Sequence, residues 1–305
     1  MLKKIKLKNA VGTALAHDIT EIRPGEFKGP AFHKGHTVCN EDLCHLQKLG
    51  KNNLYLIDLE EDEIHENQAA AILANALAGE GIAWKDEPHE GKISLLAATD
   101  GLFKVDTTAL AAFNMVDEVM CATLHNHTLV KKGEKVAATR AIPLVMKRVA
   151  IERAAAIARQ NGAVLAVKTL RPAKVGLVVT GNEVFHGLIE DRFAPVLSEK
   201  VTALGSKVDG IAFAPDDEKL ISQAIGNHLN RGCDLIMLSG GMSVDPDDVT
   251  RKGIRMAGAT EMNYGTAVLP GAMFLAAYIG EIPLLGIPAC SLYHRITVLE
   301  LVLPR

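Results

Sequence analysis

The residues best suited to chemistry in this chain follow a short apolar run. Leu235 to Leu238 are all apolar, and Ser239, Gly240 and Gly241 come directly after them. A central parallel strand that ends at a loop has this pattern. Because glycine has no Cβ, Gly240 and Gly241 can take positive φ angles and direct several backbone N–H groups at one point. The sequence therefore predicts a loop that binds an anion such as a phosphate.

An acidic segment follows the glycine pair. Asp245 is placed to cap a helix whose first turn holds Pro246, Asp247 and Asp248. Acids at a helix start contribute about 0.3–1 kcal/mol each, so a purely structural role is one interpretation. Three carboxylates beside a phosphate would repel it unless a divalent cation lay between them. A cation site next to the phosphate loop is therefore the second interpretation.

Four segments of the chain, in order, resemble one known family. Residues 239–250 (Ser-Gly-Gly-Met-Ser-Val-Asp-Pro-Asp-Asp-Val-Thr) are similar to the Gly-Gly signature of the molybdopterin-binding domain of molybdenum-cofactor biosynthesis proteins. That family includes molybdopterin adenylyltransferases, molybdopterin molybdenumtransferases and the corresponding domains of gephyrin. The other matching segments are Val-Val-Thr-Gly-Asn-Glu at 178–183, Ala-Pro-Asp-Asp at 214–217 and Gly-Ile-Pro-Ala-Cys-Ser at 286–291. The resemblance extends over about residues 173–305.

This stretch also predicts an α/β fold. Apolar strands alternate with helices: strand 174–180, helix near 190–204, strand 207–213, helix 217–231, strand 234–239 and helix 246–257. Short connections and apolar strands predict a three-layer domain with a mostly parallel sheet covered on both faces. Arg171 and Pro172 mark the predicted boundary, so we expect a molybdopterin-binding domain at 173–305 behind a mixed α+β N-terminal region at 1–172.

The matching segments lie where such sheets bind their ligands, beyond the carboxyl ends of the strands. Thr180, Gly181, Asn182 and Glu183 end one strand, where a glycine permits close approach and a carboxylate can bind a pterin-like donor edge. A turn at Gly181 with a solvated Glu183 is the structural alternative. Asp216 ends the next strand, and capping the helix near Glu218 is its structural alternative.

The resemblance assigns roles to these positions. It implies that Asp216 and Asp248 are catalytic and that Asp216, Asp245 and Asp248 hold Mg²⁺ beside phosphate oxygens. The implied ligand-binding residues come from three of the matching segments: Thr180, Gly181, Asn182, Glu183, Ser239, Gly240, Gly241, Ser243 and Pro288.

The chain departs from the family pattern in several places. Residues 269–272 (Leu-Pro-Gly-Ala) keep the Pro-Gly of a Lys-Pro-Gly-Lys-Pro phrase without its lysines, and Asp247 replaces an arginine. Residues 286–291 lack the second glycine, the asparagine and the second proline of a Gly-Leu-Pro-Gly-Asn-Pro phrase. Each lost lysine would have supplied a charge-assisted hydrogen bond worth about 1.5–3 kcal/mol. The carboxy-terminal β domain of typical molybdenumtransferases is expected to be absent.

The first 172 residues resemble molybdenumtransferase N-terminal segments more weakly. The matching phrases are Ala-Val-Gly-Thr-Ala-Leu-Ala-His-Asp-Ile at 10–19 and Phe-His-Lys-Gly at 32–35. Helices are predicted at 41–49, 67–77, 107–114 and 143–160, with strands at the N-terminus, 54–59 and 165–170. The metal-capable residues of this region match no zinc spacing, so separate side chains are the preferred interpretation over a zinc site; they are His33, His36, Cys39, Cys44 and His45.

The composition of the chain argues against some classes of binding partner. The 305 residues carry a net charge of −3 and only 4% aromatic residues, which argues against nucleic-acid binding. No apolar run approaches the ~18 residues of a membrane span, and five scattered cysteines suggest reduced thiols in a cytoplasm. Sequence analysis therefore predicts a cytoplasmic protein, expected to be a homo-oligomer, without membrane or nucleic-acid partners.

The leading hypothesis is a molybdopterin molybdenumtransferase that binds molybdopterin or its adenylated form and inserts molybdate with Mg²⁺. A molybdoenzyme or another cofactor-biosynthesis protein would be its protein partner. The alternative is a carrier or sensor that binds molybdopterin or finished cofactor without chemistry, as the missing lysines suggest. An amidohydrolase-like relative that shares the domain is a third interpretation, which the segment at 180–183 disfavours.

Overall fold

A computed structural model describes residues 2–57, 59–84, 88, 91–160, 162–242 and 249–305. The chain forms two compact units, Met1–Thr169 and Leu170–Arg305. Among the described residues, no helix combines the length and the apolar character needed to cross a bilayer.

The N-terminal unit mixes helices with small antiparallel sheets, as predicted. Its strands pair as β1 with β4, β2 with β3, β5 with β12, β10 and β13 with β8, and in the order β6-β7-β11-β9. In chain order these elements are β1 (Leu2–Lys6), β2 (Ile19–Arg23), β3 (Phe27–Phe32), α1 (Asp42–Lys48), β4 (Asn53–Ile57), β5 (Glu63–His65), α2 (Glu66–Leu77), β6 (Ile82–Trp84), β7 (Lys92–Ala97), β8 (Gly101–Val105), α3 (Thr107–Asn114), β9 (Val119–Thr123), β10 (Thr128–Val130), β11 (Lys135–Ala141), β12 (Val145–Lys147), α4 (Arg148–Arg159) and β13 (Leu165–Lys168).

Two apolar clusters form the core of this unit. The smaller one joins Leu7, Ile19 and Leu46 from the first 57 residues. The larger one joins α2 and α4 to the sheet of β7 and β11, with Leu73 and Ile151 fully buried. Alanines fill much of the α2 interface, which allows the helix to lie close to its neighbours.

One predicted helix of this unit is shorter than expected. The apolar spacing over 143–160 predicted one continuous helix, but residues Val145–Lys147 form β12 and pair with β5. The helix begins only at Arg148. Strand pairing satisfies the backbone of these residues through a partner 80 residues earlier in the chain, which local spacing does not reveal.

The C-terminal unit contains one large sheet, called the C-terminal sheet below. Its six strands among the described residues run in the order β15-β14-β16-β19-β18-β17. In chain order the elements are β14 (Lys174–Thr180), α5 (Asn182–Phe185), α6 (Phe193–Ala203), β15 (Lys207–Ala214), α7 (Glu218–Asn230), β16 (Leu235–Ser239), α8 (Thr250–Met256), β17 (Thr260–Tyr264), β18 (Leu275–Ile279), β19 (Ile282–Ile287), a 3₁₀ helix (Ala289–Leu292) and α9 (Val298–Val302).

Helices cover both faces of this sheet, so the predicted three-layer fold is confirmed. On one face Leu177 and Val179 pack with α6 and α9. On the other face Val178 packs with α7 and α8. The alternation follows from the two-residue period of a strand, and both sets are apolar because both faces are covered.

The sheet is parallel over β15, β14, β16 and β19, and antiparallel where β18 and β17 extend it. The predicted strands at 174–180, 207–213 and 234–239 agree with β14, β15 and β16 to within one residue. The antiparallel extension was not predicted. It places β17 at one edge of the sheet and β15 at the other.

Candidate functional site

Four loops begin on the same side of the C-terminal sheet, where its parallel strands end. We call this side the carboxyl edge below. The loops follow β15, β14, β16 and β19, which are neighbours in that order and parallel to one another. Parallel strands end on the same side, so the loops that carry Asp216, Thr180–Glu183, Ser239–Gly241 and Pro288 lie next to each other. The fold therefore brings the described site residues to one edge.

Both glycines of the loop after β16 take the positive φ angles that the sequence predicted. Their φ values are +90° for Gly240 and +56° for Gly241. A Cβ on Gly240 would lie 2.2 Å from the carbonyl oxygen of Thr180, and one on Gly241 would lie 2.3 Å from Oγ1 of Thr250. Any larger residue would therefore displace the loop from the end of β14 or from the start of α8.

Two buried threonines hold this loop. The Thr180 hydroxyl donates to the carbonyl oxygen of Ser239 at 3.0 Å, and its Oγ1 lies 2.9 Å from Oγ1 of Thr250. Because Thr180 has a single hydroxyl hydrogen, Thr250 must be the donor in the second bond. These two bonds connect the end of β14 to the end of β16 and to the first residue of α8.

Ser239 stands directly before the glycine pair. Its side chain is fully buried, and its Oγ has no hydrogen-bond partner among the described residues. Buried hydroxyl groups are nearly always hydrogen-bonded, so this atom calls for a partner such as a water or a ligand group. Its position at the end of β16 places that partner beside the glycine loop.

Asp216 and Asn182 hold each other across neighbouring strands. The Asn182 N–H donates to Oδ2 of Asp216 at 3.0 Å, and the Asp216 N–H donates to Oδ1 of Asn182 at 3.2 Å. This reciprocal pair fixes the direction of the half-buried Asp216 carboxylate. The sequence did not predict it, because the two residues are 34 positions apart.

The structural alternative for Asp216 was wrong. The N-cap of α7 is Asp217, whose Oδ1 accepts the N–H groups of Lys219 and Leu220, both at 2.9 Å. The two acids are adjacent, and either one would satisfy the capping pattern. The cap at Asp217 leaves Asp216 to contact the loop after β14.

The remaining described site residues frame the edge. Gly181 has a φ of +137° and caps the short helix α5, so Glu183 lies exposed in its first turn. Pro288 is buried and precedes the 3₁₀ helix Ala289–Leu292. The phrase at 286–291 thus opens this 3₁₀ helix, and the last α-helix begins only at Val298.

Ser243, Asp245 and Asp248 lie outside the described residues, as does the predicted start of a helix at 246. The described part of that helix is Thr250–Met256. Among the residues that the structure describes, no three His, Cys, Asp or Glu side chains form a group able to hold a metal ion. Of the predicted Mg²⁺ ligands, only Asp216 is described.

Two members of the His/Cys set of the N-terminal unit, His36 and Cys39, share one partner, the Asp42 carboxylate. Asp42 accepts the N–H of Cys39 and a hydrogen bond from His36, and these two bonds lower the pKa of Asp42 to about 2. His45 lies 3.5 Å from a carboxylate oxygen of Glu21. All five cysteines of the chain are free, among them Cys44 of this set.

One contact at the carboxyl edge had no sequence signal. The Tyr264 hydroxyl, at the end of β17, donates to the carbonyl oxygen of Met242 at 2.6 Å, directly after Gly241. The guanidinium carbon of Arg251 lies 4.4 Å from the centroid of the same tyrosine ring. Tyr264 reaches the loop only because β17 extends the sheet antiparallel, which local patterns did not predict.

Comparison with family models gives two matches. Residues 176–305 match the model described as "Probable molybdopterin binding domain". Residues 4–58 match one described as "Domain of unknown function (DUF8806)". The first match covers β14 to α9 almost entirely and includes every described residue of the carboxyl edge named above.

Curated relatives align with only part of the chain. A CinA-like protein from Mycobacterium leprae is 36% identical over 78 residues, which are 26% of this chain and 18% of that protein. A protein from Archaeoglobus fulgidus is 32% identical over 81 residues, 27% of this chain and 35% of the relative. The chain thus spans about a third or less of the length of these two relatives.

Solved structures resemble the C-terminal unit at low identity. The molybdopterin biosynthesis enzyme MoaB from Thermus thermophilus matches with 23% identity and a TM-score of 0.37, over 43% of this chain and 90% of that chain. The protein CinA, with unknown function, from Thermoplasma acidophilum matches with 18% identity and a TM-score of 0.36, over 39% and 90%.

Proposed function

We propose that residues 176–305, a domain of the molybdopterin-binding family, bind molybdopterin or its adenylated form at the carboxyl edge and insert molybdate into it. The observation that carries the proposal is the convergence of the Gly240–Gly241 loop, the Thr180–Glu183 segment and Asp216 at one edge of the family-matched domain. Ligands of parallel sheets bind at this edge. The position of these described residues supports the proposal.

The glycine loop is suited to the phosphate end of the ligand. Positive φ angles at Gly240 and Gly241 turn the backbone tightly at the end of a strand, where N–H groups can converge on an anion. Thr180 and Thr250 hold the loop from both sides, so its shape is set before a ligand arrives. A preformed loop binds more tightly because little ordering is left to complete on binding.

The segment after β14 is suited to the pterin end. Glu183 is exposed at the start of α5, and its carboxylate can accept hydrogen bonds from the amino and ring N–H groups of a pterin. Gly181 allows a flat ligand to approach the backbone closely. We assign pterin recognition to Gly181 and Glu183.

Asp216 fits the chemistry of Mg²⁺, which binds through one or two carboxylates together with waters and substrate phosphate oxygens. Asn182 holds its carboxylate in place, and Asp245 and Asp248 would complete the set of acids. When bound, Mg²⁺ would offset the negative charge that develops as the phosphoanhydride of adenylated molybdopterin breaks and AMP leaves. The roles of Asp216 and Asp248 would be to hold the cation and to orient the reacting groups.

The test is anaerobic titration of the full chain with molybdopterin and with adenylated molybdopterin, with and without Mg²⁺ and molybdate, while AMP release is followed. AMP release that requires both ions is the expected result. Tight binding without AMP release would replace transfer by a carrier or sensor role, which the missing lysines of residues 269–272 would then explain. Absence of binding to either ligand would refute the proposal.

Asp216→Asn sharpens the test. Asparagine keeps an oxygen that accepts the Asn182 N–H, so the fold is retained while the negative charge is lost. We expect AMP release to fall by about 10² or more, with the melting temperature nearly unchanged. Asp217→Asn is the matched control, because it removes the same charge one residue away and asparagine caps helices as well as aspartate. Asp248→Ala should also abolish turnover; equal losses in both Asp216→Asn and Asp217→Asn would refute a specific role for Asp216.

A further inference from the structure

Tyr264 anchors the exit of the glycine loop. Its hydroxyl donates to the carbonyl oxygen of Met242 at 2.6 Å. The Met242 side chain is buried, and a Cβ on Gly286 of β19 would lie 2.6 Å from its Cε. Met242 is thus held by its backbone from β17 and by its side chain from β19. The described part of the loop that follows β16 is therefore anchored at Met242 by two other strands.

The same tyrosine positions a cation. The Arg251 guanidinium carbon lies 4.4 Å from the ring centroid of Tyr264, within the range of a cation–π contact. A guanidinium has N–H donors around its edge, so one that is stacked by its face can still bind a planar or tetrahedral oxyanion. Arg251 is the second residue of α8, and its neighbour Thr250 contacts both Gly241 and Thr180. One ring therefore links the loop carbonyl and an arginine.

An anionic ligand needs such a cation at this edge. Glu183, Asp216 and Asp217 are acidic, and Asp245, Asp247 and Asp248 follow the glycine pair in the sequence. The lysines that the resembled family carries near residues 269–272 are missing here. Lys252, the next residue after Arg251, has an exposed side chain that pairs with Glu218 at 3.4 Å. The Arg251 guanidinium stacks on the Tyr264 ring, whose hydroxyl binds the Met242 carbonyl directly after Gly241.

We propose that Arg251, positioned by Tyr264, binds the phosphate group of the ligand and supplies the positive charge that the lost lysines would have provided. This inference rests on the proposed function, because it concerns the same site and the same ligand. It adds a residue and a selectivity: the chain should distinguish a phosphorylated pterin from its dephosphorylated form through Arg251.

The experiment compares two ligands that differ only in the phosphate. Molybdopterin and phosphatase-treated molybdopterin are titrated anaerobically into the full chain and into Arg251→Gln. We expect Arg251→Gln to weaken binding of molybdopterin at least about tenfold, as for a lost charge-assisted hydrogen bond, and to leave binding of the dephosphorylated ligand unchanged. Lys252→Gln, which removes the same charge one residue later, should bind both ligands like the wild type.

Two variants of Tyr264 separate the effect of its ring on Arg251 from the effect of its hydroxyl bond to Met242. Tyr264→Phe keeps the ring under Arg251 and loses only the bond to Met242, so selectivity for the phosphorylated ligand should persist. Tyr264→Leu removes the ring and should reduce that selectivity toward the level of Arg251→Gln. Arg251→Lys keeps the charge without the planar stacking group, so it should bind molybdopterin more tightly than Arg251→Gln does. If the role of Arg251 were purely structural, no such recovery would be expected.

The failures can be told apart. If the wild type binds neither ligand, the proposed function is refuted and this inference with it. If the wild type binds molybdopterin and Arg251→Gln binds it equally well, only the role of Arg251 is refuted. If Arg251→Gln weakens both ligands to the same extent, the arginine maintains the loop and does not bind the phosphate.

Discussion

The two ends of the C-terminal sheet use polar groups differently. At the amino edge, where β14 and β15 begin, the Lys174 and Arg231 side chains bind the Asp209 carboxylate at 3.3 and 2.7 Å. The Asp234 carboxylate accepts the Lys174 N–H at 2.7 Å and pairs with Arg171. Cations and acids from neighbouring elements thus balance one another at this end.

At the carboxyl edge, hydrogen bonds run between side chains and backbone. Thr180 donates to the Ser239 carbonyl, Asn182 donates its N–H to Asp216, and Tyr264 donates to the Met242 carbonyl. These bonds fix the shape of loops and do not pair opposite charges. The described contacts at the amino edge are mainly ion pairs and those named at the carboxyl edge are mainly bonds to loop backbone, so substitutions at the two ends should have separable effects.

Gly240→Ala should have the largest effect of the substitutions considered, because it changes the glycine loop at the carboxyl edge. Alanine at a φ of +90°, with its Cβ 2.2 Å from the Thr180 carbonyl oxygen, requires a backbone shift. We expect a loss of roughly 1–3 kcal/mol in the free energy of unfolding and loss of ligand binding, measured by urea denaturation and by titration with molybdopterin. Gly210→Ala in β15 is the control, because its Cβ would meet only the movable end of Arg231 at 2.9 Å. Binding retained by Gly240→Ala would contradict a preformed loop.

Thr180→Val tests whether the two buried hydrogen bonds of Thr180, to Ser239 and to Thr250, hold the glycine loop. We call these two bonds the clamp. Valine has nearly the same shape but leaves the Ser239 carbonyl and the Thr250 hydroxyl without the bonds they make to Thr180. We expect a loss of about 1–3 kcal/mol in the free energy of unfolding, since buried groups are left unsatisfied. Thr260→Val removes an exposed threonine at the start of β17 and should change stability by less than about 0.5 kcal/mol. Equal stability of the two variants would contradict the clamp.

Local patterns were sufficient for the parallel half of the C-terminal sheet. Strands β14 and β16 are mostly apolar and each is followed by a glycine, a pattern set by burial on both faces and by the turn that follows. Gly240 and Gly241 were identified for the same reason, because a positive φ angle has a residue signature. These features depend on a few consecutive residues, so they could be predicted without a partner strand.

Features that depend on distant partners could not be predicted. Val145 was expected in a helix, and its pairing with His65 in β5 places it in a strand. Asp216 and Asp217 carry equal capping signals, and only the contact with Asn182 separates their roles. Tyr264 showed no pattern at all, because its role depends on the antiparallel register of β17 against β18. The glycine pair and the strand ends were thus predicted from the sequence, while the distant contacts that hold them were not.

Substitution of His228, which packs against β14 before the ligand loops begin, should have the smallest effect. Its imidazole is buried in α7 against Gly176 and donates through Nε2 to the Leu177 carbonyl at 3.0 Å. Burial lowers the pKa of His228 below its ordinary value near 6.5. Above that value both folded and unfolded chains hold a neutral imidazole. As the pH falls below it, the unfolded chain binds a proton first, so the free energy of unfolding decreases until the folded pKa is passed.

His228→Gln should remove part of this pH dependence, because glutamine can still donate to Leu177 but does not titrate. His65 of the N-terminal unit is also buried with a lowered pKa, so a residual slope is expected in the variant. The measurement is the urea midpoint of both proteins between pH 7.5 and about 5, with molybdopterin affinity measured at pH 7.5. Identical pH slopes would contradict the assignment to His228. A change in affinity at pH 7.5 would show that His228 is coupled to the ligand loops, since it makes its hydrogen bond in the middle of β14 and those loops begin only after Thr180.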